Sequence, residues 1–109
     1  LISNNNMFKR FEGMLRRLQT GNPCRDKVAG LDADALADEI LDGIGYKGAT
    51  MTEKLESVKG GQLETRDMLT AAHEVRNRIV HDATFVLSRE EAEKYLEDYR
   101  KFFDEVELF

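Results

Sequence analysis

A chain of 109 residues with 41% apolar and 34% charged residues, one proline and no tryptophan has the balance of a folded, surface-charged helical domain and excludes a disordered or collagen-like chain. The formal net charge of -5 argues against a broad nucleic-acid-binding face, which depends on neutralising many phosphates, and leaves room only for a small, locally basic site. Cys24 is the single cysteine, so no internal disulfide can form, and no apolar run approaches the roughly 18 residues that span a bilayer.

Leu1 to Phe11 lacks the order of regions that makes a signal peptide. Residues 1–109 are therefore expected to form one domain, in the cytoplasm, with no membrane contact by this segment. The start at Leu1 rather than at methionine is expected of a piece of a longer protein.

From about Asn5 to Gln19, Met7, Phe8, Phe11, Met14, Leu15 and Leu18 recur at three- and four-residue intervals, which predicts an amphipathic helix. Asn22 and Pro23 then read as the N-cap and first position of a second helix, which runs to about Asp42 or Ile44. Its expected apolar side is Val28, Leu31, Ala35, Leu36, Ile40 and Ile44, with Gly43 and Gly45 at its end. Thr50 to Glu53 reads as a capping box for a short third helix that buries Leu55 and Val58 before Gly60-Gly61 ends it.

The fourth helix is expected over about Leu63 to Val80, with Met68, Leu69, Ala72, Val75 and Ile79 as its core stripe. Ser88 to Glu91 is a second capping box, and Leu87 is placed to staple onto Ala92. In the last helix Ala92, Leu96, Tyr99, Phe103 and Val106 alternate at four and three, widened by Tyr95 and Phe102. Leu69, Val75, Ile79, Leu96, Tyr99 and Phe103 are the expected core. No segment of useful length alternates with period two, so the fold class is all-α, an antiparallel bundle of four longer helices and one short one.

Chemistry is confined to a few residues. His73, Asn77 and His81 lie at i, i+4 and i+8, but two histidines about 12 Å apart along a helix axis cannot share one zinc ion. Both read as structural or surface histidines, and no metal or cofactor is expected. No glycine-flanked serine elbow occurs, and Cys24 reads as an inert cysteine. Gly43-Ile44-Gly45 and Gly60-Gly61 lack the lysine of a phosphate loop. The acidic stretches Asp32 to Asp42 and Glu90 to Glu107 read as solvated faces.

Arg76, Asn77 and His81 remain. Arginine can stabilise charge on a phosphoryl group and histidine can act as general acid or base. Along a continuing helix Arg76 points about 140° away from His81, so the two meet only if the helix ends near His81 or a second subunit contributes. The alternative is structural: Arg76 pairs with acidic residues of the last helix, and His81 caps carbonyls at the end of the fourth.

Arg76-Asn77-Arg78-Ile79-Val80-His81 resembles the motif of the HEPN superfamily, in which arginine, a polar residue, a few further positions and histidine stand near a helix end. The stretch from Ala72 to Asp82, with Phe85 to Ala92, is similar to the C-terminal region of a group of uncharacterised bacterial proteins, some carrying a membrane segment upstream. Ala35 to Leu41, Gly45 to Gly48 and Glu53 to Leu55 resemble the preceding part of that group, so the likeness covers most of residues 31 to 109.

The resemblance implies a HEPN-like bundle that is either a metal-independent ribonuclease, often dimeric, or a non-catalytic helical interaction or regulatory module with a protein partner. In the first case it implies a homodimer acting on RNA, with His81 assisting attack by the 2′-hydroxyl or protonating the leaving oxygen. Arg76 would stabilise the phosphorane-like charge and Asn77 would orient the site. Ala83 stands where toxin-type members carry tyrosine, which speaks against a toxin.

Overall fold

The computed structural model describes residues 9, 10, 13 and 23–106, for 23–26 the backbone alone. The described chain is all-helical: α1 (Pro23–Ile44), α2 (Met51–Ser57), α3 (Arg66–His81) and α4 (Arg89–Glu105). The helix expected over residues 5–19 falls, apart from 9, 10 and 13, outside the described residues, as do the Asn22 cap and the Cys24 side chain. No described helix is long and apolar enough to cross a membrane.

Contacts between side chains fix the directions of the three long helices. Gly30 faces Tyr95 and Asp34 bonds Tyr99, so α1 and α4 run the same way. The end of α4 meets the start of α3 through Glu105, whose carboxylate accepts from the backbone N–H groups of Glu64 and Thr65 at 2.8 Å each and from the Thr65 hydroxyl at 2.6 Å. Successive long helices therefore run up, down and up. The short α2 packs on α1 and α3.

The core is built from unequal partners. On α4, Tyr95, Leu96, Tyr99, Phe102 and Phe103 are buried, and Tyr95 and Tyr99 meet edge to face at 5.2 Å. Against this bulk α1 turns Ala29, Gly30, Ala33 and Ala37, with Leu36, Ile40 and Leu41. Small residues let the helix axes close up around large rings at native packing density. The buried face of α1 is thus rotated from the expected one: Val28 is 54% exposed, Ile44 42% exposed and Ala35 exposed, while Leu36 and Ile40 are in the core. Leu69, Leu96, Tyr99 and Phe103 are buried as expected, and Val75 and Ile79 pack half-buried against the same cluster.

Helix ends follow local chemistry. The Ser88 hydroxyl accepts the Glu91 N–H and the Glu91 carboxylate accepts the Ser88 N–H, both at 3.0 Å, completing the capping box of α4, with Leu87 and Ala92 buried beside it. Thr50 caps α2 by accepting the Glu53 N–H at 3.2 Å, but the return bond runs from its hydroxyl to the Glu53 carboxylate. The expected ends at Gly60-Gly61 and Leu63 are displaced: α2 stops at Ser57, whose hydroxyl bonds the Lys54 carbonyl at 2.6 Å, and α3 starts only at Arg66, after the turn that Glu105 holds.

Candidate functional site

Asp34, in the middle of α1, is buried against both other long helices. A buried carboxylate is costly unless its oxygens are engaged, and here three donors converge on it. The Tyr99 hydroxyl donates to Oδ1 at 2.7 Å, His73 Nδ1 lies 3.0 and 3.1 Å from Oδ1 and Oδ2, and Arg76 Nε lies 3.6 Å from Oδ2. Burial, and then the charge of Asp34, push the Tyr99 phenol far above its usual range, so it stays a donor. The acidic stretch of α1 is therefore not a uniformly solvated face, and on α4 Asp98 is likewise buried, accepting from Lys94 at 2.8 Å.

Beside this network an open cleft of about 450 Å³ lies between α1, α3 and the start of α2. Asp34 and Asp38 of α1, His73, Arg76 and Asn77 of α3, and Thr50 line it. Arg76 reaches forward to Asn77, donating to its Oδ1 at 2.9 Å, and its side chain keeps 35% of its surface exposed. Across the cleft Lys54 donates to Asp38 at 2.8 Å and lies 3.9 Å from Asp42. The Asp38 hydrogen bond, opposed by burial and aided by the charges of Asp38 and Asp42, holds the Lys54 ammonium above its usual range, so the bridge that ties α2 to α1 stays charged.

Of the three residues singled out in the sequence, Arg76 and Asn77 are brought together on the cleft wall and His81 is not. His81 is the last residue of α3 and is exposed. The structural roles expected for these side chains are also redistributed. Arg76 pairs with Asp34 of α1 rather than with the last helix, and the Asp82 N–H, not His81, bonds the Arg78 carbonyl at the helix end. Beyond that end, Asp82 Oδ1 accepts the Thr84 N–H at 3.0 Å and the Thr84 hydroxyl at 2.6 Å, which hold its carboxyl below the usual range. Arg78 stacks over Phe85 at 4.1 Å, away from the cleft lining.

His73, read from the sequence as a structural or surface histidine, is buried and bonded to Asp34, a partner that the sequence did not single out. The signal was present in part: His73 precedes Arg76 by three positions and Asn77 by four, one face of one turn. Among the described residues no group of three or more metal-ligating side chains is assembled. Comparison with protein-family models, curated proteins and solved structures finds no match to this chain.

Proposed function

We propose that this domain is a HEPN-like, metal-independent ribonuclease acting as a homodimer, with Arg76 and Asn77 holding the scissile phosphate and His81 transferring a proton. The observation that carries the reading is the pairing of Arg76 and Asn77 on the wall of an open cleft, with His81 exposed at the end of the same helix. A guanidinium supplies fixed positive charge where a phosphorane gathers negative charge. An imidazole five residues on points about 140° away, so a second copy is needed to complete the constellation. The acidic chain is expected to bind generic RNA weakly, so the substrates tested must be varied.

The test is cleavage of a panel of structured and single-stranded RNAs in EDTA, with light scattering to determine the oligomeric state. Cleavage should persist in EDTA, and His81→Ala and Arg76→Ala should each lower it, about 10²–10⁴-fold for the acid–base group, while the domain stays folded. Intact RNA throughout, or full activity in both variants, sinks the reading. A second reading has its own observation: Arg76 lies 3.6 Å from the buried Asp34 and neutralises it, as a purely structural arginine would. In that case the domain is a non-catalytic helical module that binds a protein partner, and Arg76→Ala acts on stability alone.

A further inference from the structure

The reading above leaves His73 without a task, although it lines the same cleft as Arg76 and Asn77. The three side chains occupy one turn of α3, with neighbouring Cβ atoms about 5–6 Å apart. Asp34 defines the state of the imidazole. A carboxylate can only accept, so Nδ1, at 3.0 and 3.1 Å from its oxygens, carries the ring proton, and the neutral ring holds its lone pair on Nε2. Among the described residues none bonds to Nε2. Asp34 is itself fixed, buried and held by the Tyr99 hydroxyl at 2.7 Å. Among the described residues the charged groups paired at the ring are Asp34 and Arg76, while Asp38, one turn along α1 from Asp34, is engaged by Lys54.

We propose that the Asp34–His73 couple is the general base of this cleft, a proposal that rests on the ribonuclease reading. His73 Nε2 takes the proton of an RNA 2′-hydroxyl as the bond from that oxygen to phosphorus forms. The bond from phosphorus to the 5′-oxygen breaks, and the leaving oxygen takes a proton from the His81 imidazolium of the second copy. The products are a 2′,3′-cyclic phosphate and a 5′-hydroxyl, and proton exchange with water restores both rings. Asp34 acts as a positioning residue, because it sets which nitrogen of His73 faces the substrate.

Two measurements test this. The first is long-range ¹⁵N–¹H NMR of the wild-type imidazoles, which should show His73 protonated at Nδ1 and, in Asp34→Asn, a loss of that preference. A wild-type ring protonated at Nε2 overturns the proposal whatever the variants do. The second is kinetics: His73→Gln should lower kcat by about 10²–10⁴-fold with KM little changed. Full activity in His73→Gln alongside loss in His81→Ala overturns the proposal and leaves the ribonuclease reading standing. If the wild type cleaves no RNA, that reading fails. The general-base role of His73 is then overturned with it, whatever the tautomer of the ring.

Discussion

Replacing Gly30 with alanine should destabilise this protein, against the usual rule for a helix interior. An exposed helical glycine exchanged for alanine gains about 1 kcal/mol from the smaller conformational entropy of the unfolded chain. At Gly30 the added Cβ would fall against Cε2, Cζ and Oη of Tyr95, nearer than carbon atoms approach one another. Tyr95 is 1% exposed and packs on Tyr99, so its ring has no free volume to enter. Forcing a methyl group into a filled core costs about 1–3 kcal/mol and occasionally more. The same collision would push apart α1 and α4, which also hold Asp34 and Tyr99 together. Set against the gain of about 1 kcal/mol, the net change should be a loss of up to about 2 kcal/mol, and more if α1 shifts bodily. Urea unfolding of the wild type and Gly30→Ala would measure it, with Tyr95→Leu and the double variant closing a cycle. A coupling of at least about 1 kcal/mol should appear, because Tyr95→Leu removes the obstructing ring atoms. A single variant more stable than wild type by about 1 kcal/mol would show that the Tyr95 ring does not sit over Gly30, and the packing argument would fall with it.

Tyr95 also provides a second test, because its hydroxyl is buried with no hydrogen-bond partner among the described residues, so Tyr95→Phe should raise stability by about 1 kcal/mol in the same urea assay. Glu105→Gln should lower stability at neutral pH by about 1–2 kcal/mol, since charge-assisted bonds to the start of α3 are weakened. Burial raises the Glu105 pKa, but the Thr65 hydroxyl and the N–H groups of Glu64 and Thr65 outweigh it, leaving the group below its ordinary value of 4.5. Its contribution is therefore complete above about pH 4.5 and is lost as pH falls through the lower folded value, so the gap between wild type and variant should close in acid. A gap independent of pH would show that the charge on Glu105 is not what holds the turn.

The elements that were legible in the sequence are those whose information is local. The capping box at Ser88 and the aromatic stripe of α4 each sit within a few residues of what they determine, and both stand where expected. The face of α1 was misjudged because hydropathy weighs Val28 and Ile44 above Ala29, Gly30 and Ala33, whereas the neighbouring rings require small side chains. The start of α3 was hidden for a different reason: the turn that leads into it is held by Glu105, some forty residues away, and no local pattern can announce that. The site divides in the same way. Arg76 and Asn77 form a pair visible in the sequence, while Asp34 looks like any other surface acid of its stretch until Tyr99, His73 and Arg76 surround it.

The Asp34 carboxylate on α1 thus bonds to both other long helices, to His73 and Arg76 on α3 and to Tyr99 on α4. A group shared in this way cannot be released by fraying one end or opening one loop, because each helix that departs leaves a buried charge less well compensated. Among the described residues, the α1 and α3 sides of the cleft should therefore be late to exchange their amide hydrogens, unlike the loosely held segments from which mobile lids are usually drawn. Adaptation at this wall is correspondingly constrained: a substitution at Asp34 disturbs the cleft lining and the contacts between helices together, whereas His81 at the exposed end of α3 should vary with little effect on stability.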